Sequence, residues 1–114
     1  MNVQTNIQRA QRHWWVAVFC ALLLTTGMAH AAGDAATGET KAIACAGCHG
    51  VDGISPSPQW PNLAGQKDVY LVKQLRDFRS GARSDPVMTI AAAPLTDADI
   101  ADLAAYFSTR TVSP

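Results

Sequence analysis

The sequence predicts an all-α fold of three main helices joined by loops, and three observations carry that expectation. Apolar residues recur at three- and four-residue steps over Tyr70 to Phe78 and over Ile100 to Phe107, the spacing that lines one face of a helix. The segments between the helical stretches are rich in Gly, Pro and Ser, which interrupt regular structure. No stretch alternates apolar and polar residues as a half-buried strand would, and no internal repeat or second domain is visible.

Residues 1–31 read as a secretory signal peptide. Arg9, Arg12 and His13 precede an uncharged run from Trp14 to Met28, which closes on Ala29-His30-Ala31, a small-x-small cleavage pattern. A membrane-spanning helix needs about 20 apolar residues, and this run is shorter. Lipid anchoring at Cys20 is disfavoured by the bulky Phe19 directly before it. Cleavage after Ala31 leaves residues 32–114 as one exported domain.

Within that domain the first helix starts at Asp34, a good N-cap, and runs through Ala35, Ala36, Lys41, Ala42 and Ile43 into Cys45. Gly38 is a mild weakness inside it. The loop from Gly50 to Gly65 holds Gly53, Pro56, Pro58 and Pro61, whose fixed φ and missing N–H donors exclude regular helix and stiffen the path. Asp68 is the expected cap of the second helix, in which Tyr70, Leu71, Gln74, Leu75 and Phe78 form the stripe and Gly81 the stop. The loop from Gly81 to Pro94 carries Met88. Thr96 and Asp99 then make a capping-box-like start, with an acid in place of the usual Glu or Gln, for a helix through Ile100, Leu103 and Phe107.

The whole chain balances nine Lys/Arg against nine Asp/Glu, without the basic excess of a nucleic-acid-binding protein. Residues 32–114 hold seven Lys/Arg and nine Asp/Glu, a formal charge of −2, and retain only Cys45, Cys48, His49 and Met88 of the Cys, His and Met residues. A domain this small often adds a disulfide, a metal or a cofactor to its core.

Cys45-Ala46-Gly47-Cys48-His49 is the pattern C-x-x-C-H, an attachment site for c-type haem. On one helical turn positions i and i+3 face the same way, so both thiols can bond the two vinyl groups on one porphyrin edge while the adjacent imidazole reaches iron. Ala46 and Gly47 are small enough to let the backbone lie close to the macrocycle. The same thiols could form a dithiol redox pair, half of a zinc site or a structural disulfide. A thioredoxin-like pair belongs in a βαβ setting that is missing, and a zinc site lacks a fourth ligand, since residues 32–114 offer no third Cys and no second His. One covalent haem c, with the helices and loops wrapped around it, is the expectation.

Met88 is the remaining soft neutral ligand for the sixth iron position, in a loop able to curl over the second haem face. A thioether there favours ferrous iron and closes the site to oxygen and peroxide; the alternative is a gap-filling core methionine beside Val87 and Ile90. A ligating imidazole normally donates its other N–H to an oxygen that orients it. Pro61 is placed to supply a carbonyl to His49, or simply to stiffen its loop. Trp60 either donates to a haem propionate or packs. Arg76, Arg79 and Arg83 suit the dipole at the end of the second helix, as solvated charge or as contacts to propionates or an acidic partner.

These residues resemble the class I cytochromes c, in particular the small short-loop bacterial periplasmic kind, over nearly all of residues 32–114. Gly33-Asp34-Ala35-Ala36 is similar to that family's opening, Cys45 to Gly50 to its attachment site, Pro61-Asn62-Leu63-Ala64-Gly65-Gln66 to its proline loop and Tyr70 to Gly81 to its middle helix. Asp85-Pro86-Val87-Met88 resembles its methionine loop, and Leu95 to Phe107 its last helix, which crosses the first beside the haem. The resemblance implies thioether bonds at Cys45 and Cys48, iron ligation by His49 and Met88, and a Pro61 carbonyl orienting His49. Some relatives carry a second methionine near this loop, where this chain has Ala91, and some fuse two haem domains, where this chain has a single C-x-x-C-H.

The expected function is that of a periplasmic single-haem electron carrier, not an enzyme. It would act as a monomer free of the membrane after leader cleavage, and would meet redox protein partners such as a respiratory complex, oxidase or reductase through a small transient face. A haem c subunit of a larger periplasmic oxidoreductase is the alternative, and a haem protein with an open iron site the third possibility.

Overall fold

In the computed structural model, which describes residues 32–112, Asp34 has extended backbone and its carboxylate accepts the Thr37 N–H at 2.6 Å. That cap starts α1, Ala35–Ala42. The chain then tightens into a 3-10 turn, Ile43–Cys45, in which the Ala46 N–H reaches back to the Ile43 carbonyl, and reopens into the short α2, Ala46–His49. The single helix expected to run into Cys45 is therefore two helical pieces around a tight turn, a common way for a helix to end. The expected leader, residues 1–31, lies outside the described residues.

Helix α3, Asp68–Ser80, begins one residue earlier than a cap at Asp68 would allow: Lys67 flanks it without a side-chain bond, and Asp68 is the first helical residue. Its carboxylate accepts the Val69 N–H at 2.8 Å and complements the helix dipole. Gly81 stops α3 in the left-handed conformation, φ 81°, which glycine adopts at no steric cost. A further short helix, α4, Met88–Ala92, forms within the expected loop. Helix α5, Asp97–Thr109, opens with the full capping box: Asp99 N–H donates to Thr96 Oγ1 at 3.1 Å and Thr96 N–H to Asp99 Oδ2 at 2.9 Å. Among the described residues there is no strand, and no helix is long and apolar enough to cross a membrane. The fold is all-α.

Helix α1 crosses α5 at very short range, and α3 packs against the same helix. The resulting core joins Ala42, Leu71, Leu103, Ala104, Tyr106 and Phe107, with Cys45, Leu63 and Leu75 at its margin. Gly38, read from sequence as a weakness, makes the crossing possible: a Cβ there would stand 2.0 Å from the Asp102 carbonyl oxygen. Ion pairs lock the crossing, with Lys41 Nζ 2.6 Å from Asp102 Oδ2 and 2.7 Å from Asp99 Oδ1. The long loop is tied to α5 as well, because Gly65 N–H donates to Phe107 O at 3.0 Å and Tyr106 Oη to Val51 O at 3.1 Å. Gly53 turns that loop with φ 78°, and its carbonyl accepts both Leu63 and Ala64 N–H.

Candidate functional site

The C-x-x-C-H segment spans the 3-10 turn and α2, which brings both thiols and the imidazole onto about one turn of chain. Both cysteines are free thiols and half-buried. Cys45 lies at the core margin, and burial, followed by the proximity of Cys48, pushes its thiol up from the usual range. A Cβ at Gly47 would meet no protein atom within 4 Å, so packing within the chain does not call for glycine there.

His49 is the one buried polar or charged side chain among the described residues, at 6 % exposure. Its Nδ1 lies 2.8 Å from the Pro61 carbonyl oxygen. A carbonyl only accepts, so Nδ1 carries the proton and, in the neutral ring, Nε2 carries the lone pair. Nε2 makes no protein hydrogen bond among the described residues.

Two side chains that sequence reasoning did not single out hold the Pro61 loop to the attachment helix. Ser55 Oγ lies within donating distance of Cys48 O, 3.0 Å, and Ser57 O, 2.9 Å, while Ser55 N–H donates to Asn62 Oδ1 at 2.7 Å. The signal was present, because Ser and Asn in Pro-rich loops commonly bond nearby backbone.

Met88 is half-buried at the first position of α4. One carboxylate oxygen of Asp85 accepts from Met88 N–H at 2.8 Å and from Val87 N–H at 2.9 Å, and Asp85 N–H donates to Thr89 Oγ1 at 3.1 Å. The two donated bonds, Met88's the larger influence, hold the Asp85 carboxyl below the usual carboxylate range. The Met88 segment thus stands on its own turn, and His49 and Pro61 are joined directly, without it.

The three arginines are engaged within the protein. Arg79 donates to Leu95 O at 2.9 Å and to Asp97 Oδ1 at 2.6 Å, Arg76 Nε stands 3.6 Å from the same carboxylate oxygen, and Arg83 lies over the Phe78 ring at 4.5 Å and meets Gln74. Trp60 is 37 % exposed. A cleft of about 450 Å³ opens beside Ala46, bounded by Ile43, Val51 and Tyr106, but none of Cys48, His49, Pro61 or Met88 lines it.

The donor set suits one c-type haem. Two unbridged thiols and an oriented imidazole are what thioether attachment and iron ligation require. Among the described residues no three His, Cys, Asp or Glu side chains converge in a way that could hold a bare metal ion.

Residues 35–111 match the family described as Cytochrome c. Over 96 residues the chain is 52 % identical to cytochrome c4 of Pseudomonas aeruginosa, covering 82 % of this chain and 48 % of that protein. It is 46 % identical over 82 residues to cytochrome c-554(548) of Halomonas halodenitrificans, covering 69 % of this chain and 99 % of that one. The crystal structure of reduced recombinant cytochrome c4 from Pseudomonas stutzeri superposes with a TM-score of 0.68 at 46 % identity, over 72 % of this chain and 48 % of that chain. The chain spans about half the length of the cytochrome c4 relatives it matches.

Proposed function

This chain belongs to the cytochrome c family, and from that premise we propose that it is a single-haem electron carrier of the bacterial periplasm. Its prosthetic group is covalent haem c, which supplies one-electron chemistry at iron when bound. In this reading Cys45 and Cys48 would form the two thioethers, His49 Nε2 and the Met88 sulfur would hold the iron, and residues 1–31 would be removed on export. With His49 and Met88 both holding it, the iron would offer no place for a substrate, and the work would be electron transfer between protein partners, not catalysis.

The observation that carries this reading is the His49–Pro61 hydrogen bond beside two free thiols. It sets the imidazole tautomer and orients the ring as a ligand. Ala46 and Gly47 leave room for a macrocycle against the backbone, and the rigid proline loop limits movement of the imidazole between oxidation states.

The test is a pyridine haemochrome spectrum of the periplasmic protein after acid-acetone extraction, from a host competent in cytochrome c maturation. A c-type spectrum retained on the polypeptide, and lost on joint replacement of Cys45 and Cys48 by Ala, is expected. Haem that extracts freely sinks the attachment reading.

The 42 % identity, over 82 % of this chain, to a thiosulfate dehydrogenase electron acceptor of Stutzerimonas stutzeri supports a second reading, a haem c unit that stays bound to a larger periplasmic oxidoreductase. Gentle purification separates the two: a monomer favours the carrier, a stable complex the subunit.

A further inference from the structure

We infer that Asp85 is a positioning residue for Met88, holding the backbone from which the thioether projects. The inference rests on the reading of Met88 as an axial ligand. Helix α4 has five residues, far fewer than an isolated helix needs to persist in water. Its place therefore depends on bonds from outside it.

At its start Pro86 has no N–H, which leaves Val87 and Met88 as the first free donors, and a single Asp85 oxygen takes both at 2.9 and 2.8 Å. The reciprocal bonds from Asp85 N–H to Thr89 Oγ1 and from Thr89 N–H to Asp85 O, 3.0 Å, close the turn. At its far end Ala92 is fully buried, and the following Leu95 carbonyl is held by Arg79. The exit is thus fastened by tertiary contacts and the entry, where Met88 sits, among the described residues by the Asp85 carboxylate, which takes both free N–H groups, and by the Thr89 hydroxyl, which accepts from Asp85 N–H. Bonds from backbone N–H to a carboxylate are the stronger, charge-assisted kind. Without them the first turn of α4 frays, and Met88 is released more often.

The test uses the ferric, haem-loaded full chain. Imidazole is added, and the rate at which it displaces the methionine is read from the loss of the methionine-to-iron charge-transfer band. Asp85→Ala is expected to speed displacement roughly tenfold, the consequence of losing charge-assisted bonds of about that worth, whereas Asp85→Asn keeps an acceptor and stays within about threefold of the unaltered protein.

Tyr106→Phe, which lowers overall stability far from α4 in sequence, is the control. Equal rates in Asp85→Ala and the unaltered protein overturn the inference, as does an acceleration no larger than Tyr106→Phe causes at a matched loss of melting temperature. Absence of the band in the unaltered protein overturns the Met88 reading itself, and this inference with it. If Asp85→Ala yields no holoprotein, amide exchange in the unaltered protein decides: protected Val87 and Met88 amides support the role, and unprotected ones overturn it.

Discussion

Gly38 lies directly beneath the Asp102 carbonyl, so close that a Cβ would come within 2.0 Å of its oxygen, and Gly33 stands in the same relation to Ala101 at 1.9 Å. Replacing Gly38 by Ala gains about 1 kcal/mol in helix propensity and loses more by pushing two helices apart, since the obstacle is backbone. A net loss of about 1–2 kcal/mol is expected, a fall in melting temperature of roughly 4–16 °C. An unchanged or higher melting temperature would show that the crossing relaxes freely.

The Lys41 cluster makes stability depend on pH in a definite direction. The Lys41 ammonium, with the Thr96 hydroxyl and the Asp34 N–H assisting, holds Asp99 and Asp102 below the ordinary 3.8, while Asp102 and Asp99 raise Lys41 above 10.5. Lowered carboxylates stabilise the fold above their ordinary value and lose that contribution as pH falls through their folded values. A raised lysine stabilises below its ordinary value and loses that contribution as pH rises through its folded one. The difference in melting temperature between the native protein and Lys41→Met should therefore be greatest between about pH 5 and pH 10 and shrink on both sides. A pH-independent difference contradicts the ion-pair account.

Tyr106→Phe deletes only the hydroxyl that donates to Val51 O at 3.1 Å, and keeps the ring against Phe107, centroids 5.1 Å apart, and under Arg110. A loss of about 1 kcal/mol is expected, or roughly 4–8 °C in melting temperature. No loss would mean that this bond does not tie the loop to α5.

Met88→Ala should lower the reduction potential, because a thioether favours ferrous iron over ferric. A tenfold loss of that preference corresponds to about 59 mV, and a shift of at least that size, with loss of the charge-transfer band, is expected by potentiometric titration. An unchanged potential removes Met88 from the ligand set.

Much of this was legible in the chain itself. The 3.6-residue stripe at Ile100 to Phe107, the Thr96–Asp99 capping box and the Gly81 stop are local patterns, and each appears as read; the stripe of α3 holds from Leu71 to Phe78, whereas Tyr70, expected within it, is 48 % exposed. The C-x-x-C-H spacing places its residues within one turn by covalent connection alone. The misreadings were also local: Lys67 rather than Asp68 flanks α3, the first helix breaks at Ile43, and Met88 begins a short helix where a loop was expected. In the last case Asp85-Pro86 was the overlooked turn signal.

What the sequence by itself determined is the all-α class and the chemistry on offer, because helical periodicity, caps and a haem-attachment motif are written in neighbouring residues. Only the tertiary structure decided that Gly38 is a contact point rather than a weakness, that Lys41 bridges two acids 58 and 61 positions away, and that, of the two sequence readings of Pro61, the one with its carbonyl on His49 Nδ1 holds. Each of these is a short distance between atoms remote along the chain, set by how closely α1 and α5 pack and where the proline loop returns, and no local pattern encodes it.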